Sequence, residues 1–144
     1  MNHTIHIIPT EEFTDVTDQI NEYISFDRVA DGICIIYSKH TTACIRVLES
    51  ETLLKQDMHD FFERLAPSNC VYRHDNILER DVPPTERCNG FSHLRAMLLN
   101  HQEIIPIVNG KLDLGKWQRV FFIECDFGSP IREDRFINMQ IRGD

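Results

Sequence analysis

The dipeptide Asn109-Gly110 constrains this chain more than any other feature, because it stands between two apolar runs, EIIPIV and KLDL. Asn and Gly tolerate the positive φ angles of the tight turn that joins two antiparallel strands. The dipeptide therefore predicts a β-hairpin, and the rest of the chain must supply partner strands for that hairpin and a core beneath it.

The pattern of apolar residues predicts further strands and three helices around this hairpin. The strand-type segments are HTIHII, DGICIIYS, ACIRVLE, WQRVFFIECD and RFINMQI. The helical segments span residues 9–24, 50–67 and 91–99, with Thr10 and Ser50 as the expected N-caps of the first two. Hairpins interspersed with helices indicate an α+β fold with a largely antiparallel sheet. A chain of 144 residues fits one domain, residues 1–144.

Charge and composition exclude several classes of protein. The formal net charge is -8 and no segment forms a basic stripe, which disfavours a nucleic-acid partner. No apolar run reaches the roughly 18 residues that span a bilayer. The N-terminus lacks the basic and apolar segments of a secretory signal. We therefore expect a cytoplasmic protein with no membrane partner.

The sequence lacks the motifs that would identify a common cofactor or nucleophile. It contains no G-x-G-x-x-G, no G-K-[ST] and no G-x-S-x-G, so we expect neither a nucleotide cofactor nor a serine hydrolase. None of its five cysteines forms a C-x-x-C pair, which argues against a zinc ribbon, and their odd number argues against a disulfide framework. Acid–base chemistry then falls to His, Asp and Glu, and anion binding to Arg and Lys.

Three of the seven histidines occupy turns or loops where a ring could reach a ligand. His40 stands at a strand-to-strand turn in SKHTTACI, His74 lies in a long irregular segment, and His93 opens the third helix. Neutral imidazole is the commonest metal ligand in proteins, and three such ligands leave one position open for water or substrate. The spacing matches no local metal motif, so the other interpretation is that each histidine serves the fold separately.

Thr41 and Thr42 follow His40 and also allow two interpretations. Their hydroxyl groups either close the turn through backbone hydrogen bonds or donate to an anionic ligand beside His40. Trp117 either packs in the core or stacks on a ligand. Gln118 is a ligand-binding residue only if its side chain faces the cleft.

Six segments in one order resemble the YjbQ-like family, which is also called the secondary thiamine-phosphate synthase family. They are HTTA, ERLAP, YRHD, NGFSHLRAMLL, IPIVNGKLDLGKWQ and FFIECD. The resemblance implies an α+β sandwich of two β-sheets with flanking helices, and a homotrimer with clefts between neighbouring subunits. The weak activity that it implies joins hydroxymethylpyrimidine diphosphate to a thiazole phosphate and releases pyrophosphate.

The resemblance also implies a polar cluster that we expect to bind a small phosphorylated metabolite. Its positions in this chain are His40, Thr41, Thr42, His74, His93, Trp117 and Gln118. The expected ligands of a divalent metal are His40, His74 and His93, and Arg132, in GSPIR, is an expected anion contact. The family commonly has an asparagine-glutamate pair where this chain has Leu48-Glu49, and this departure bears on the substrate more than on the fold.

The chemistry leaves several hypotheses open. Pyrophosphate release usually uses Mg²⁺ on oxygen ligands, whereas three imidazoles favour Zn²⁺. A histidine-bound metal suits the activation of water, so a metal-dependent hydrolase is a second hypothesis. In either enzyme we expect His40 and Asp75 to be catalytic, with Asp75 orienting His74 or acting as a base. The remaining hypotheses are a protein that binds the metabolite without turnover and a purely structural trimeric scaffold.

Overall fold

The structure, a computed structural model, describes residues 1–128 and 134–143. Its strands are β1 (Asn2–Ile7), β2 (Phe13–Asp15), β3 (Gly32–Tyr37), β4 (Ala43–Glu49), β5 (Gln102–Val108), β6 (Lys111–Leu112), β7 (Gln118–Glu124) and β8 (Arg135–Gly143). Its α-helices are α1 (Thr17–Asp27), α2 (Thr52–Leu65) and α3 (Gly90–Met97). Two single-turn 3₁₀ helices, Arg73–Asp75 and Ile77–Glu79, lie in the long segment between α2 and α3.

The described strands form two antiparallel sheets. The larger sheet has the strand order β1-β8-β3-β5-β6, and the smaller has the order β2-β7-β4. The predicted hairpin is confirmed, because β5 and β6 pair across Asn109 and Gly110, whose φ angles are 50° and 77°. The α+β fold of two sheets with flanking helices, as the sequence led us to expect, is likewise confirmed.

The main core lies between the two sheets. Side chains from the larger sheet, among them Ile5, Cys34, Ile107 and Ile137, form one buried cluster with Ala43, Ile45, Val120 and Phe122 from the smaller sheet. Ile20 and Ile24 of α1 belong to the same cluster. Removing a large apolar side chain from water contributes about 1.5–3 kcal/mol, so this interface holds the sheets together.

A second apolar cluster covers the other face of the smaller sheet. Phe121 and Ile123 of β7 pack there with Phe62 of α2 and Ala96 of α3. Strands that are covered on both faces need apolar residues at consecutive positions. This explains the run VFFI in β7, and it places α3 beside the smaller sheet, near the end of β3.

The start of the first predicted helix is wrong. Residues 13–15 form β2, in which Phe13 pairs with Ile123 of β7 and is buried in the second cluster. The helix begins later, at Thr17, whose amide donates to Asp15 Oδ1 at 3.0 Å. Thr10 is therefore not its N-cap, because pairing with β7 satisfies the backbone of this segment more completely than a first helical turn would.

The predicted N-cap of the second helix is wrong by one residue. The cap of α2 is Glu51, whose carboxylate accepts from the amides of Leu53 at 2.8 Å and Leu54 at 2.6 Å. The first amides of a helix have no partner within the helix. The two oxygens of Glu51 satisfy two of them, which the single hydroxyl oxygen of Ser50 does less well.

The outer face of the larger sheet carries exposed apolar side chains. Ile33, Tyr37, Ile104 and Val108 are between 41% and 58% exposed. Among the helices of the described ranges, none combines the length and the apolar character that crossing a bilayer requires.

Candidate functional site

A cavity of about 360 Å³ opens where the end of β3, the long segment before α3, the start of α3 and the start of β8 meet. Its walls are formed by Lys39, His40, Thr41, Thr42, His74, Arg80, Glu86, Asn89, His93 and Arg135. The three histidines that the sequence identifies are distant in the chain, yet they line one space.

Backbone contacts close the polar corner between β3 and β4. The hydroxyl of Ser38, a fully buried residue, donates to the carbonyl of Ala43 at 3.1 Å and accepts from the amide of His40 at 3.4 Å. The amide of Ser38 donates to the carbonyl of His101 at 2.8 Å. The serine that precedes the histidine therefore fixes the corner, and His40 is presented at its outer edge.

His40 is held by the backbone of β8. The amide of Phe136 donates to His40 Nε2 at 3.1 Å, and the two rings pack edge-on with centroids 4.8 Å apart. A ring nitrogen that accepts a hydrogen bond carries no proton, so the neutral ring holds its proton on Nδ1. Burial, and then the positive charge of Arg135, lower the pKa of His40. His40 is therefore a neutral imidazole with Nδ1–H as its free donor.

Arg135, the first residue of β8, forms a buried ion pair with Glu124 at the end of β7. Its Nε and Nη2 atoms each lie 2.7 Å from a carboxylate oxygen, and Nη2 also donates to Thr42 Oγ1 at 2.7 Å. The Arg135 and Glu124 side chains are only 2% and 3% exposed. Because β8 belongs to the larger sheet and β7 to the smaller, the pair connects the sheets beside the cavity.

His74 and His93 form a pair of contacting rings. Their centroids are 4.5 Å apart and the ring planes meet at 65°. Within the described residues, neither ring makes a hydrogen bond, and Arg80 Nη1 donates to the carbonyl of His74 at 2.9 Å. Burial, and then the charge on His74, lower the pKa of His93. The pair therefore contributes ring nitrogens that the fold does not use.

Asp75 joins the two segments that carry the His74 and His93 rings, through hydrogen bonds to their backbone amides. Its Oδ1 accepts from the amide of Gly90 at 2.9 Å, and its Oδ2 accepts from the amide of Tyr72 at 3.3 Å. The carboxylate thus links the first 3₁₀ turn to the start of α3. Asp75 is not among the residues that line the cavity, and its contacts give it a positioning role; its expected role as a base or as a partner of the His74 ring stays a prediction.

The remaining predicted ligand contacts divide into three groups. Thr41 is exposed on the cavity wall, whereas Thr42 is buried and bonded to Arg135. Trp117 and Gln118 do not line the cavity: the Trp117 side chain is 65% exposed, and Gln118 Oε1 accepts from the amide of Gly115 at 2.8 Å. Arg132 lies outside the described residues.

Sequence reasoning missed several residues of the cavity wall, namely Lys39, Arg80, Glu86, Asn89 and Arg135. For Arg135 a signal was present. In the strand segment RFINMQI, Arg135 lies two and four residues before Ile137 and Met139, so its side chain lies on the same side of the strand as these two core residues. A charged residue on the buried side of a strand requires a buried partner. The other four lie in loops or at a helix start, where no periodicity marks them.

The three histidines do not form a ready metal site. Among residues 1–128 and 134–143, no group of three His, Cys, Asp or Glu side chains has the placement that would hold a metal ion. His40 Nε2 is already engaged by the Phe136 amide. Metal binding by His40, His74 and His93 therefore stays a prediction that requires side chains to move.

Comparison with known proteins identifies the relatives of this chain. A family model described as UPF0047 protein YjbQ-like matches residues 2–144. The chain belongs to this family. A UPF0047 protein from Archaeoglobus fulgidus is 33% identical over 126 residues, which are 88% of this chain and 90% of that protein. The UPF0047 protein YjbQ from Escherichia coli O157:H7 is 30% identical over 111 residues, 76% of this chain and 75% of that protein.

Two solved structures agree with the architecture described above. A hypothetical protein from Aeropyrum pernix K1 superposes with a TM-score of 0.84 at 29% identity, covering 100% of this chain and 99% of that one. A YbjQ-like protein of unknown function from Sulfolobus solfataricus P2 superposes with a TM-score of 0.83 at 26% identity, covering 100% of this chain and 97% of that one. The two-sheet arrangement is thus shared along the whole chain.

We predict that His40 stays neutral at pH values where a histidine in a flexible peptide, with a pKa of about 6.5, is half protonated. Nitrogen NMR spectra should show the Nδ1–H tautomer and a titration midpoint below that value. The folded state then binds fewer protons than the unfolded state, so the free energy of unfolding falls as the pH drops below about 6.5. An Nε2–H tautomer, or a midpoint above that of the peptide, would contradict the assignment.

We predict that Arg135→Met costs about 3–5 kcal/mol in the free energy of unfolding, because it leaves Glu124 as an unpaired buried charge. Adding Glu124→Leu should restore most of that loss. The matched control is Arg119→Met, since Arg119 forms partly exposed ion pairs with Asp15 and Asp18, and the loss of such solvent-screened pairs should cost about 1 kcal/mol or less. Urea titrations measure all four proteins. Equal costs for the two arginines would remove the special role of Arg135.

Proposed function

We propose that the cavity binds a small phosphorylated metabolite and that its histidines catalyse a reaction on it. The observation that carries the proposal is the adjacent pair His74 and His93, whose ring nitrogens are free within the described residues, beside Arg80 in one cavity. Lys39 and Arg80 add positive charge to the wall, which also contains the carboxylate of Glu86. In a chain of net charge -8, this local excess of donors favours an anionic substrate.

The first reaction to consider is thiamine-phosphate synthesis. The ring nitrogen of the thiazole phosphate forms a bond to the methylene carbon of hydroxymethylpyrimidine diphosphate. The carbon–oxygen bond breaks, and pyrophosphate leaves with the bonding electrons. Lys39 and Arg80 are placed to stabilise that negative charge, and the free N–H groups of His40 and His93 to donate to the phosphate oxygens. The activity needs no protein nucleophile, which fits a site of donors and neutral imidazoles.

The free nitrogens of the histidine pair also favour a second candidate, the hydrolysis of a phosphate ester or anhydride. A neutral imidazole next to a second ring accepts a proton from water at neutral pH. The water oxygen then bonds to phosphorus, the phosphorus–oxygen bond to the leaving group breaks, and the imidazole holds the proton. A protein that binds the metabolite without turnover is the third outcome that the same experiment distinguishes.

We predict that the purified protein forms thiamine phosphate and pyrophosphate from the two substrates named above. His93→Gln should lower the rate by about 100-fold or more, because it removes a positioned donor to the developing negative charge. His74→Gln should lower it similarly, because it removes the ring that packs against His93. The control is His101→Gln, because that side chain does not line the cavity. Chromatography of the products with a pyrophosphate assay measures the reaction.

Each other result identifies a different function. Phosphate or pyrophosphate released without a carbon–nitrogen product points to a hydrolase, and saturable binding without any product points to a binding protein. If neither substrate binds, the proposed function is wrong.

We further propose that the protein is a homotrimer whose subunits pack through the outer face of the larger sheet. Ile33, Tyr37, Ile104 and Val108 expose apolar surface there, and exposed apolar patches often mark protein interfaces. Trp117 is likewise exposed and does not line the cavity of its own chain. A cleft between subunits would bring it to a site, as the family resemblance implies. The five free thiols support a cytoplasmic location.

We predict a sedimentation mass of about three times the chain mass of 16.9 kDa. Ile104→Lys should shift the protein to smaller species, because a charge in the centre of an apolar interface is left unpaired. Phe26→Lys is the control, since Phe26 is 80% exposed on α1 and not on this sheet. A wild-type protein that sediments as a monomer would exclude the trimer.

A further inference from the structure

We infer that Asn89 is a ligand-binding residue and that it forms, with Arg80, an oxyanion subsite for phosphate at the N-terminal end of α3. The inference rests on the proposed function, since it names the part of the same cavity that holds the phosphoryl group. It goes further by assigning this task to a residue outside the histidine, threonine and tryptophan positions of the family resemblance.

Asn89 is a buried residue whose side-chain amide has no hydrogen-bond partner among the described residues. Asn89 is only 6% exposed and lines the cavity. It occupies the N-cap position of α3, where an asparagine side chain normally accepts a hydrogen bond from an amide of the first turn. It makes no such bond, nor does its side chain bond to any other described residue.

Polar groups of buried residues are almost always satisfied, whether by the protein, by water or by a ligand. Asn89 lines the cavity. A side chain that is buried, lacks a partner and faces a cavity is therefore explained most simply as a group that a ligand completes.

The surroundings of Asn89 decide the chemistry of that ligand. The N-terminal end of a helix carries partial positive charge and favours anions. Arg80 lines the same cavity, where one of its nitrogens holds the His74 carbonyl at 2.9 Å, and it forms no ion pair with any described residue. The NH₂ group of Asn89 and the remaining nitrogens of Arg80 are all donors. Their natural partner is a group rich in acceptors, which a phosphoryl group provides.

The proposed subsite lies next to the histidine pair. Asn89 and His93 are four residues apart at the start of α3, so they lie on one side of the helix. A phosphate held at Asn89 would be next to the His93 ring, and the atom to which that phosphate is attached would face the rest of the cavity. The subsite thus orients the substrate without contributing a proton.

The test measures the binding of inorganic phosphate and pyrophosphate to the full chain by calorimetry. Asn89→Asp is nearly isosteric and keeps a good N-cap residue, but its negative charge repels an anion. We expect it to weaken the binding of both anions at least tenfold. Asn89→Ser keeps a helix cap without reaching the ligand, and it should also weaken binding at least tenfold while the melting temperature without ligand stays near that of the wild type.

The matched control is Asn76→Asp, which adds the same charge to the same segment at an exposed position outside the cavity wall. It should leave anion binding within twofold of the wild type. Wild-type affinity in both Asn89 variants would overturn the inference, as would an equal loss in Asn76→Asp, since that would be a general effect of charge.

The failure of this inference is distinguishable from the failure of the proposed function. If His93→Gln abolishes turnover while the Asn89 variants bind phosphate as the wild type does, the function stands and the subsite is elsewhere. If the wild type binds phosphate through Asn89 but no product forms with any substrate, the subsite stands and the catalytic proposal fails.

Discussion

The ion pair between Arg135 and Glu124 is the interaction on which the geometry of the site depends. Taking two charges out of water costs several kcal/mol for each ion, and this cost is offset only when the hydrogen-bond geometry is good. Here two Arg135 nitrogens meet both carboxylate oxygens at 2.7 Å, and a third bond of the same length reaches Thr42. The next amide along β8, that of Phe136, holds His40. The first two residues of β8 therefore hold both Thr42 and His40 in the polar corner between β3 and β4.

The residues of the cavity wall divide into those that the fold has already used and those that it has left free. His40 Nε2, Thr42 Oγ1 and Arg135 are bonded to the protein. The rings of His74 and His93 and the amide of Asn89 make no hydrogen bond within the described residues. The first group gives the cavity a fixed shape. The second provides the polar atoms with which a bound molecule would interact, and these free groups lie near the start of α3.

The sequence predicted the elements that depend on neighbouring residues, and it failed where a distant strand decides the outcome. The hairpin at Asn109-Gly110 and the helix α3 follow from local turn and helix signals, and both are confirmed. Residues 13–15 have helical spacing, but they pair with β7, more than 100 residues away in the chain. A short stretch of neighbouring residues does not show that strand pairing will win over helix formation.

The same limit applies to the candidate site. The three histidines were identifiable because they lie at a turn, in a long irregular segment and at a helix start, and the family resemblance joined them. The common cavity confirms that they are close, but not that they bind a metal. Asn89 was not identifiable, because an asparagine before a helix is normally its cap. Only coordinates reveal that the amide makes no capping bond.

The contacts of Asp75 have a consequence for how this family can diversify. One carboxylate fastens the 3₁₀ turn that carries His74 to the helix that carries His93, through backbone amides at Tyr72 and Gly90. Residues 76–89 form a loop whose two ends are joined by these bonds of Asp75. We therefore expect insertions in the loop to lengthen it without separating the two rings. Because Arg80, Glu86 and Asn89 lie in that loop, the groups that we propose to contact a ligand can be exchanged while the paired imidazoles keep their geometry.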